Sequence, residues 1–255
     1  MEHLQYVIED STIAELLGVQ NFTNDESAVL ELVKNAYDAK APQLTLEFEG
    51  NKLTITDNGV GMNADDIRKH WMHVGKSSKE YEVIDENNHK RILAGSKGIG
   101  RFALSRLGRN VQIFSKKKDS TAVVWITDWN GSTLSEDQSI EAPGTKIIID
   151  GLREKWGKKK VENLVDFLSK TYNDTSMKIT LIHQDLTTDV LRYFPEPKLG
   201  KNCISNIIMS YDCTTRKLKT EITSDEFLED AKVFCPKLNL TKHYVITDMV
   251  DELRA

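Results

Sequence analysis

The sequence predicts a mixed α/β fold, and three observations carry that reading. Residues 25–39 have the spacing of an amphipathic helix, with Val29, Leu32, Val33 and Ala36 on one side. Residues 44–48 and 53–56 alternate apolar and polar, the period of half-buried strands. Three more strand-like runs follow at Val111–Phe114, Ala122–Thr127 and Thr145–Ile149, with a short helix ahead of them. Helical and extended segments thus alternate within one stretch of chain.

The chain has 255 residues, enough for one large or two modest domains with a sizeable core. Hydrophobic content of 39% and charged content of 29% are those of an ordinary globular protein. A net charge of -5 argues against a protein that coats nucleic acid generally, although local basic patches remain open. No apolar run approaches the ~20 residues of a membrane span. The start, Met1-Glu2-His3-Leu4-Gln5, lacks the pattern of a signal peptide. Cys203, Cys213 and Cys235 form neither a metal-ligand pattern nor a disulfide framework, so a cytoplasmic location is expected.

Residues 1–22 mix apolar pairs with polar residues, and fit either a segment packed on the main body or an arm reaching a partner subunit. Thr23-Asn24-Asp25-Glu26 has capping-box spacing with the hydroxyl at the cap. The helix it opens should stop near Ala39, ahead of Pro42. Gly50-Asn51 suits a two-residue hairpin turn. The second strand runs into Asp57-Asn58-Gly59-Val60-Gly61-Met62, and Asn63 caps a short helix to about Trp71. Residues 75–98 lack sustained periodicity, as a lid or binding loop does. A helix containing Phe102, Ala103, Leu104 and Leu107 should close at Gly108. Beyond Gly151 come a basic amphipathic helix over 155–172, strands at Met177–Ile182, Ile204–Tyr211 and Lys217–Ile222, and a helix near Asp225–Val233. A domain boundary is expected near residue 152.

The polar line of the first helix holds Glu31, Asn35 and Asp38 within an arc of roughly 60°. Two carboxylates and an amide on one line can hold a hydrated cation and activate a water; taken alone, the line also fits a solvated helix face. In Asp57-x-Gly59-x-Gly61 the glycines let backbone approach a flat ring, and Asp57 can accept from an exocyclic amine; the plain alternative is a turn. Gly98-Ile99-Gly100 ahead of a helix frees backbone N–H groups for phosphate, with Lys97 and Arg101 adding positive charge. Lys116-Lys117-Lys118 and Lys158-Lys159-Lys160 are read as solvated basic runs, with nucleic-acid contact the alternative.

In this order the motifs resemble those of the GHKL ATPase superfamily, which groups DNA gyrase, the ninety-kilodalton heat-shock chaperones, histidine kinases and the MutL mismatch-repair proteins. The resemblance covers roughly residues 20–152, from Glu-x-x-x-Asn-x-x-Asp-Ala through Asp-x-Gly-x-Gly and Gly-x-Gly to Gly144-Thr145. It implies a Bergerat fold: a two-layer α/β sandwich, helices on one face of a mixed sheet, with ATP under a lid at about 75–100. Glu31 then matches the residue that activates the attacking water, with a raised pKa expected beside a polyanion, and Asn35 the Mg²⁺ ligand. Asp38 would face the nucleotide near the purine or ribose. Asp57, with Gly59, matches the adenine-reading carboxylate, and Gly61 and Met62 pack on the ring. Lys97, Gly98, Ile99 and Gly100 match the lid end that grips the β- and γ-phosphates, with Arg101 beside them. Thr145 matches a hydroxyl supporting Asp57, and Ser77, Ser78 and Lys79 fall in the early lid.

Histidine kinases lack the hydrolytic Glu, and with His3 the one histidine ahead of Glu31 an upstream phospho-accepting segment is not expected. The chain resembles the ATP-hydrolysing branch, with lid wording closest to chaperone-like and MORC-like ATPases. What this implies is an Mg²⁺-dependent ATPase that closes and dimerises on nucleotide, with a protein partner or effector. The other readings are a slow nucleotide-sensing module and a histidine kinase domain. Residues 153–255 stand where such proteins carry a transducer domain lending a cation to the γ-phosphate, with Lys178 and Lys198 as candidates. The end at Leu253-Arg254-Ala255 suggests further effector regions.

Overall fold

In the computed structural model the chain divides into two compact units, Met1–Phe194 and Pro195–Ala255. The residues described are 9–74, 82–84, 90–92, 99–172, 174–191, 193, 205–212, 214–215, 217–224 and 244–247. The first unit opens with α1 (Asp10–Ala14), continued as a π-turn over Glu15–Val19, and α2 (Asp25–Asp38). A hairpin follows, β1 (Gln43–Glu49) and β2 (Lys52–Asp57), then α3 (Ala64–Asp66), extended by a π-turn over Ile67–Trp71. Two short strands, β3 (Glu82–Ile84) and β4 (Lys90–Ile92), pair antiparallel with each other. A 3₁₀ turn at Gly100–Phe102 leads into α4 (Ala103–Leu107). After it run β5 (Gly108–Lys116), β6 (Ala122–Thr127), β7 (Ser132–Asp137) and β8 (Gly144–Leu152). The unit closes with α5 (Lys158–Thr171), β9 (Lys178–His183) and β10 (Leu186–Asp189).

Eight strands form one sheet in the order β10-β9-β1-β2-β8-β5-β6-β7. Every neighbouring pair is antiparallel except β1 with β9, so the sheet is mixed, as expected. The crossover from β8 through α5 to β9 supplies the parallel pair, since parallel strands need a long connection. On β1 the residues Leu44, Leu46 and Phe48 are buried while Glu47 is exposed, and β9 buries Ile179 and Leu181 in the same alternation. Against this face α2 places Ala28, Val29, Leu32, Val33 and Ala36, and α5 places Leu164 and Leu168. The second unit contains a three-stranded antiparallel sheet of β11 (Ser205–Asp212), β12 (Lys217–Ser224) and β13 (Tyr244–Thr247). No helix among the described residues is long and apolar enough to cross a membrane.

The structure refines the sequence-based expectation at several elements. The compact unit continues past residue 152 to Phe194, because β9 extends the sheet along β1. The N-cap of α2 is Asn24 rather than Thr23, its Oδ1 accepting from the Ser27 N–H at 2.8 Å. Gly108 closes α4 where expected, but in extended rather than left-handed geometry, at φ -154°, and β5 begins from it. Strands β7 and β10 were not expected: both lie at sheet edges and carry mostly exposed polar residues, so neither has the alternation that reveals a strand. Of the two readings left open for residues 1–22, residues 10–19 follow the first and pack on the body: Ser105 Oγ donates to the Ala14 carbonyl at 2.7 Å. A Cβ on Gly18 would stand 1.7 Å from Ser105 Oγ. The helix expected near 225–233, and all three cysteines, lie outside the described residues.

Three helices meet on one buried charge. Asp25, 3% exposed, accepts from Arg106 Nε of α4 at 2.9 Å and from Lys160 Nζ of α5 at 2.6 Å. Lys160 also lies 4.5 Å from the centre of the Trp156 ring, which packs against Phe48 at 4.7 Å. Removing the acid from this cluster leaves two like charges facing each other without compensation. Asp25→Ala should therefore cost about 3–5 kcal/mol, read from the urea midpoint of unfolding.

Candidate functional site

The end of α2 and the end of β2 are joined through their backbones. Lys40 adopts φ 60°, its N–H reaches the Tyr37 carbonyl at 2.9 Å, and the Ala41 N–H reaches the Ala36 carbonyl at 3.1 Å. The Ala39 carbonyl then accepts from the Val60 N–H at 2.8 Å, inside the Asp57–Met62 loop. A Cβ on Gly59 would sit 2.5 Å from that Ala39 oxygen, and one on Gly61, at φ 64°, would sit 1.9 Å from the Lys116 carbonyl oxygen. A Cβ on Gly144, at φ 140°, would stand 2.4 Å from the Asp57 carbonyl oxygen. Close backbone contacts within the protein already require these glycines, whichever of the two sequence readings of the Asp57 motif, turn or ligand loop, is taken.

Asp57 ends β2, in register with Thr145 of β8, and Thr145 is in register with Ser115 of β5. The Gly59 N–H donates to Asp57 Oδ1 at 2.9 Å, the turn-forming bond that Asp makes two residues on. Burial pushes the Asp57 carboxyl up from 3.8 to about 6, against the lowering effect of the Gly59 and Thr145 backbone N–H groups. The Thr145 hydroxyl, expected to support Asp57, instead shares a hydrogen bond of 2.9 Å with Ser115 Oγ. Ser115 is fully buried and accepts from the Met62 N–H at 2.8 Å, so it holds the far end of the Asp57 loop. Sequence reasoning missed Ser115, because nothing distinguishes a serine within a strand until its neighbours across the sheet are known.

Along α2, Asp38, Asn35 and Glu31 lead away from this loop. Seven residues of helix rise separate Glu31 from Asp38 by about 10 Å. Lys34 Nζ donates to Glu31 Oε1 at 2.6 Å, with side-chain exposures of 38% and 30%. The other carboxylate oxygen faces the lid end: a Cβ on Gly100 would stand 3.3 Å from Glu31 Oε2. Gly59, Gly61 and Met62 are thus grouped at one end of the line, and Gly100 at the other. Ser77, Ser78, Lys79, Lys97, Gly98 and Lys198 lie outside the described residues.

Arg101 differs from its expected place beside phosphate. Its Nη2 donates to the His73 carbonyl at 3.0 Å, and its guanidinium carbon lies 5.4 Å from the Trp71 ring centre. Burial lowers its pKa to about 10. Together with Trp71, Met72, Phe102, Trp125 and Trp129 it lines a partly open apolar pocket. Its side chain therefore braces the segment leading into residue 75. The structure also shortens the helix behind Gly100: a 3₁₀ turn and five α-helical residues carry little macrodipole, so exposed N–H groups count for more there than the dipole does. Lys178, offered as a γ-phosphate candidate, pairs with Asp189 at 2.8 Å on the neighbouring strand.

A mixed sheet whose helix line, Asp57 loop and Gly100 turn converge in this way belongs to a nucleotide-binding class. Residues 22–155 match the family described as histidine kinase-, DNA gyrase B- and HSP90-like ATPase, and the chain belongs to that family. It is 27% identical to a mitochondrial TNF receptor-associated protein 1 homolog of Dictyostelium discoideum over 80% of this chain and 32% of that protein. It is 26% identical to the chaperone protein HtpG of Borreliella afzelii, over 69% of this chain and 31% of that one. To the DNA mismatch repair protein MutL of Crocosphaera subtropica it is 28% identical, over 69% of this chain and 34% of the relative. The chain thus spans about a third of the length of these curated relatives. What it shares with them is the GHKL ATPase domain, and the sequence-based assignment to that superfamily stands.

The buried Asp57 carboxyl ties the stability of the fold to pH. Because the folded-state value of about 6 exceeds the ordinary 3.8, the folded chain keeps a proton that the unfolded chain has lost between these values. This contribution to stability is full at acid pH, declines as pH rises through that window, and stays low above it. The stability of wild type relative to Asp57→Asn should therefore fall between about pH 4 and pH 6, as measured by urea unfolding at each pH.

Proposed function

We propose that this chain binds ATP with Mg²⁺ and hydrolyses it, with Glu31 as the general base. The observation that carries this is Glu31 Oε2 facing the Gly100 turn while the same helix is tied at its other end to the Asp57 loop. The roughly 10 Å between those ends suits a nucleoside triphosphate laid along α2. Asp57, Gly59, Gly61, Met62 and Thr145 would receive the adenine, Asp38 the purine or ribose side, and Ile99 and Gly100 the phosphates through their N–H groups. Ser77, Ser78, Lys97 and Gly98 join them on the strength of the family motif.

Among the described residues no group of three or more His, Cys, Asp or Glu gathers to hold an ion. Asn35 offers one amide oxygen, which fits Mg²⁺, a hard cation that keeps waters and phosphate oxygens as its remaining ligands. The ion would offset charge on the phosphates during transfer. Glu31 takes a proton from water as the water oxygen bonds to the γ-phosphorus. The bond from that phosphorus to the bridging oxygen breaks, and its electron pair leaves with ADP.

Phosphate release should fall by about 10²–10⁴-fold in Glu31→Ala. Equal rates in wild type and variant would remove Glu31 from the base role. Closure of residues 75–100 over ATP is proposed to drive homodimerisation, for action on a protein partner. A nonhydrolysable ATP analogue should then raise the sedimentation coefficient of the full-length protein, and an unchanged coefficient would rule out a nucleotide-driven dimer.

A further inference from the structure

We propose that Lys34 is a positioning residue of the hydrolytic site, holding the Glu31 carboxylate in the orientation from which it accepts the proton of the attacking water. The inference rests on the reading of Glu31 as the base. A glutamate has three side-chain torsions, and freezing them opposes its being aimed at anything. Here the aim is supplied from within one rigid helix. Lys34 is one turn from Glu31 on α2, whose backbone hydrogen bonds hold their spacing, and its ammonium meets Oε1 at 2.6 Å. That contact occupies one oxygen and leaves the other, Oε2, directed at Gly100.

Gly100 closes the bracket. With the Cβ position 3.3 Å from Oε2, a methyl group there would press on the carboxylate, so the absence of a side chain makes room beside the reactive oxygen. The carboxylate is thus held between an ammonium on its own helix and bare backbone on the turn that ends the 75–100 segment. Lys34 itself exchanges no proton and breaks no bond in the step. Its positive charge also offsets that of Glu31 close to where the triphosphate lies, which lessens repulsion between base and substrate. A partly exposed pair at this helical spacing adds little to stability, so its purpose should register in rate rather than in folding.

The test is a double-mutant cycle in the full-length protein. It takes kcat and KM from phosphate release, affinity from a fluorescent ATP analogue, and melting temperature for each variant. Lys34→Met should lower kcat by about 10- to 100-fold, the scale of a misplaced catalytic group, while KM, analogue affinity and melting temperature stay close to wild type. In the Glu31→Gln background the same substitution should change the residual rate by less than about twofold, because a residue acting through Glu31 has nothing left to act on. Lys34→Arg, which keeps the charge, should recover most of the lost rate. Equal losses in both backgrounds, a loss confined to KM and affinity, or a Lys34→Met rate close to wild type would each overturn the assignment of Lys34 while leaving Glu31 as the base. A Glu31→Gln variant that turns over like wild type would instead defeat the base assignment, and with it the role of Lys34.

Discussion

The hydrogen bond from the Val60 N–H to the Ala39 carbonyl, 2.8 Å long, is the contact on which the arrangement of this site depends. A helix end leaves carbonyls that must find donors elsewhere. At the end of α2 the left-handed turn at Lys40 satisfies those of Ala36 and Tyr37 locally, and the Ala39 carbonyl is left to bind the loop after β2. The same bond that completes a helix terminus therefore fixes Asp57 relative to Asp38, Asn35 and Glu31. Neither motif could be displaced along its own element without breaking it.

Packing then removes the remaining freedom. Gly59 lies against Ala39, Gly61 against Lys116, and Gly144 against Asp57, each closer than any side chain would permit. Ser115 joins the loop to β8 by accepting from Met62 and bonding Thr145. The burial that these contacts produce is what raises the Asp57 carboxyl toward 6. Tight backbone packing and altered acidity thus share a cause, and both follow from one short loop crossing between a helix and three strands.

Much of this was legible in the sequence because periodicity reports burial. The apolar side of α2 and the alternation in β1, β2 and β9 reflect contact with the core, and the core strands and principal helices followed from it. Edge strands β7 and β10 bury too little to leave such a trace. Of the site, the spacing Glu31–Asn35–Asp38 and the glycine loops were visible because they are local. Ser115, the route of the Thr145 hydroxyl and the use of Arg101 against Trp71 depend on partners far along the chain, and no local pattern encodes them. The ion pair of Lys34 with Glu31 is local, yet lysines at helical spacing from acids are too common for the pair to stand out before the Gly100 turn is known.

The Asp25 cluster bears on how far the nucleotide-binding body can be trimmed. Its carboxylate draws Arg106 from the helix behind the Gly100 turn and Lys160 from α5, five residues beyond the end of the family match at residue 155. Past that limit also lies β9, which covers the side of β1 that the family motif leaves open. The segment that matches the family and the segment that stands as one folded piece here are therefore different lengths of chain. A truncated protein ending at the shorter length would carry every motif residue while exposing the edge of β1 and leaving Arg106 as the sole partner of a buried acid.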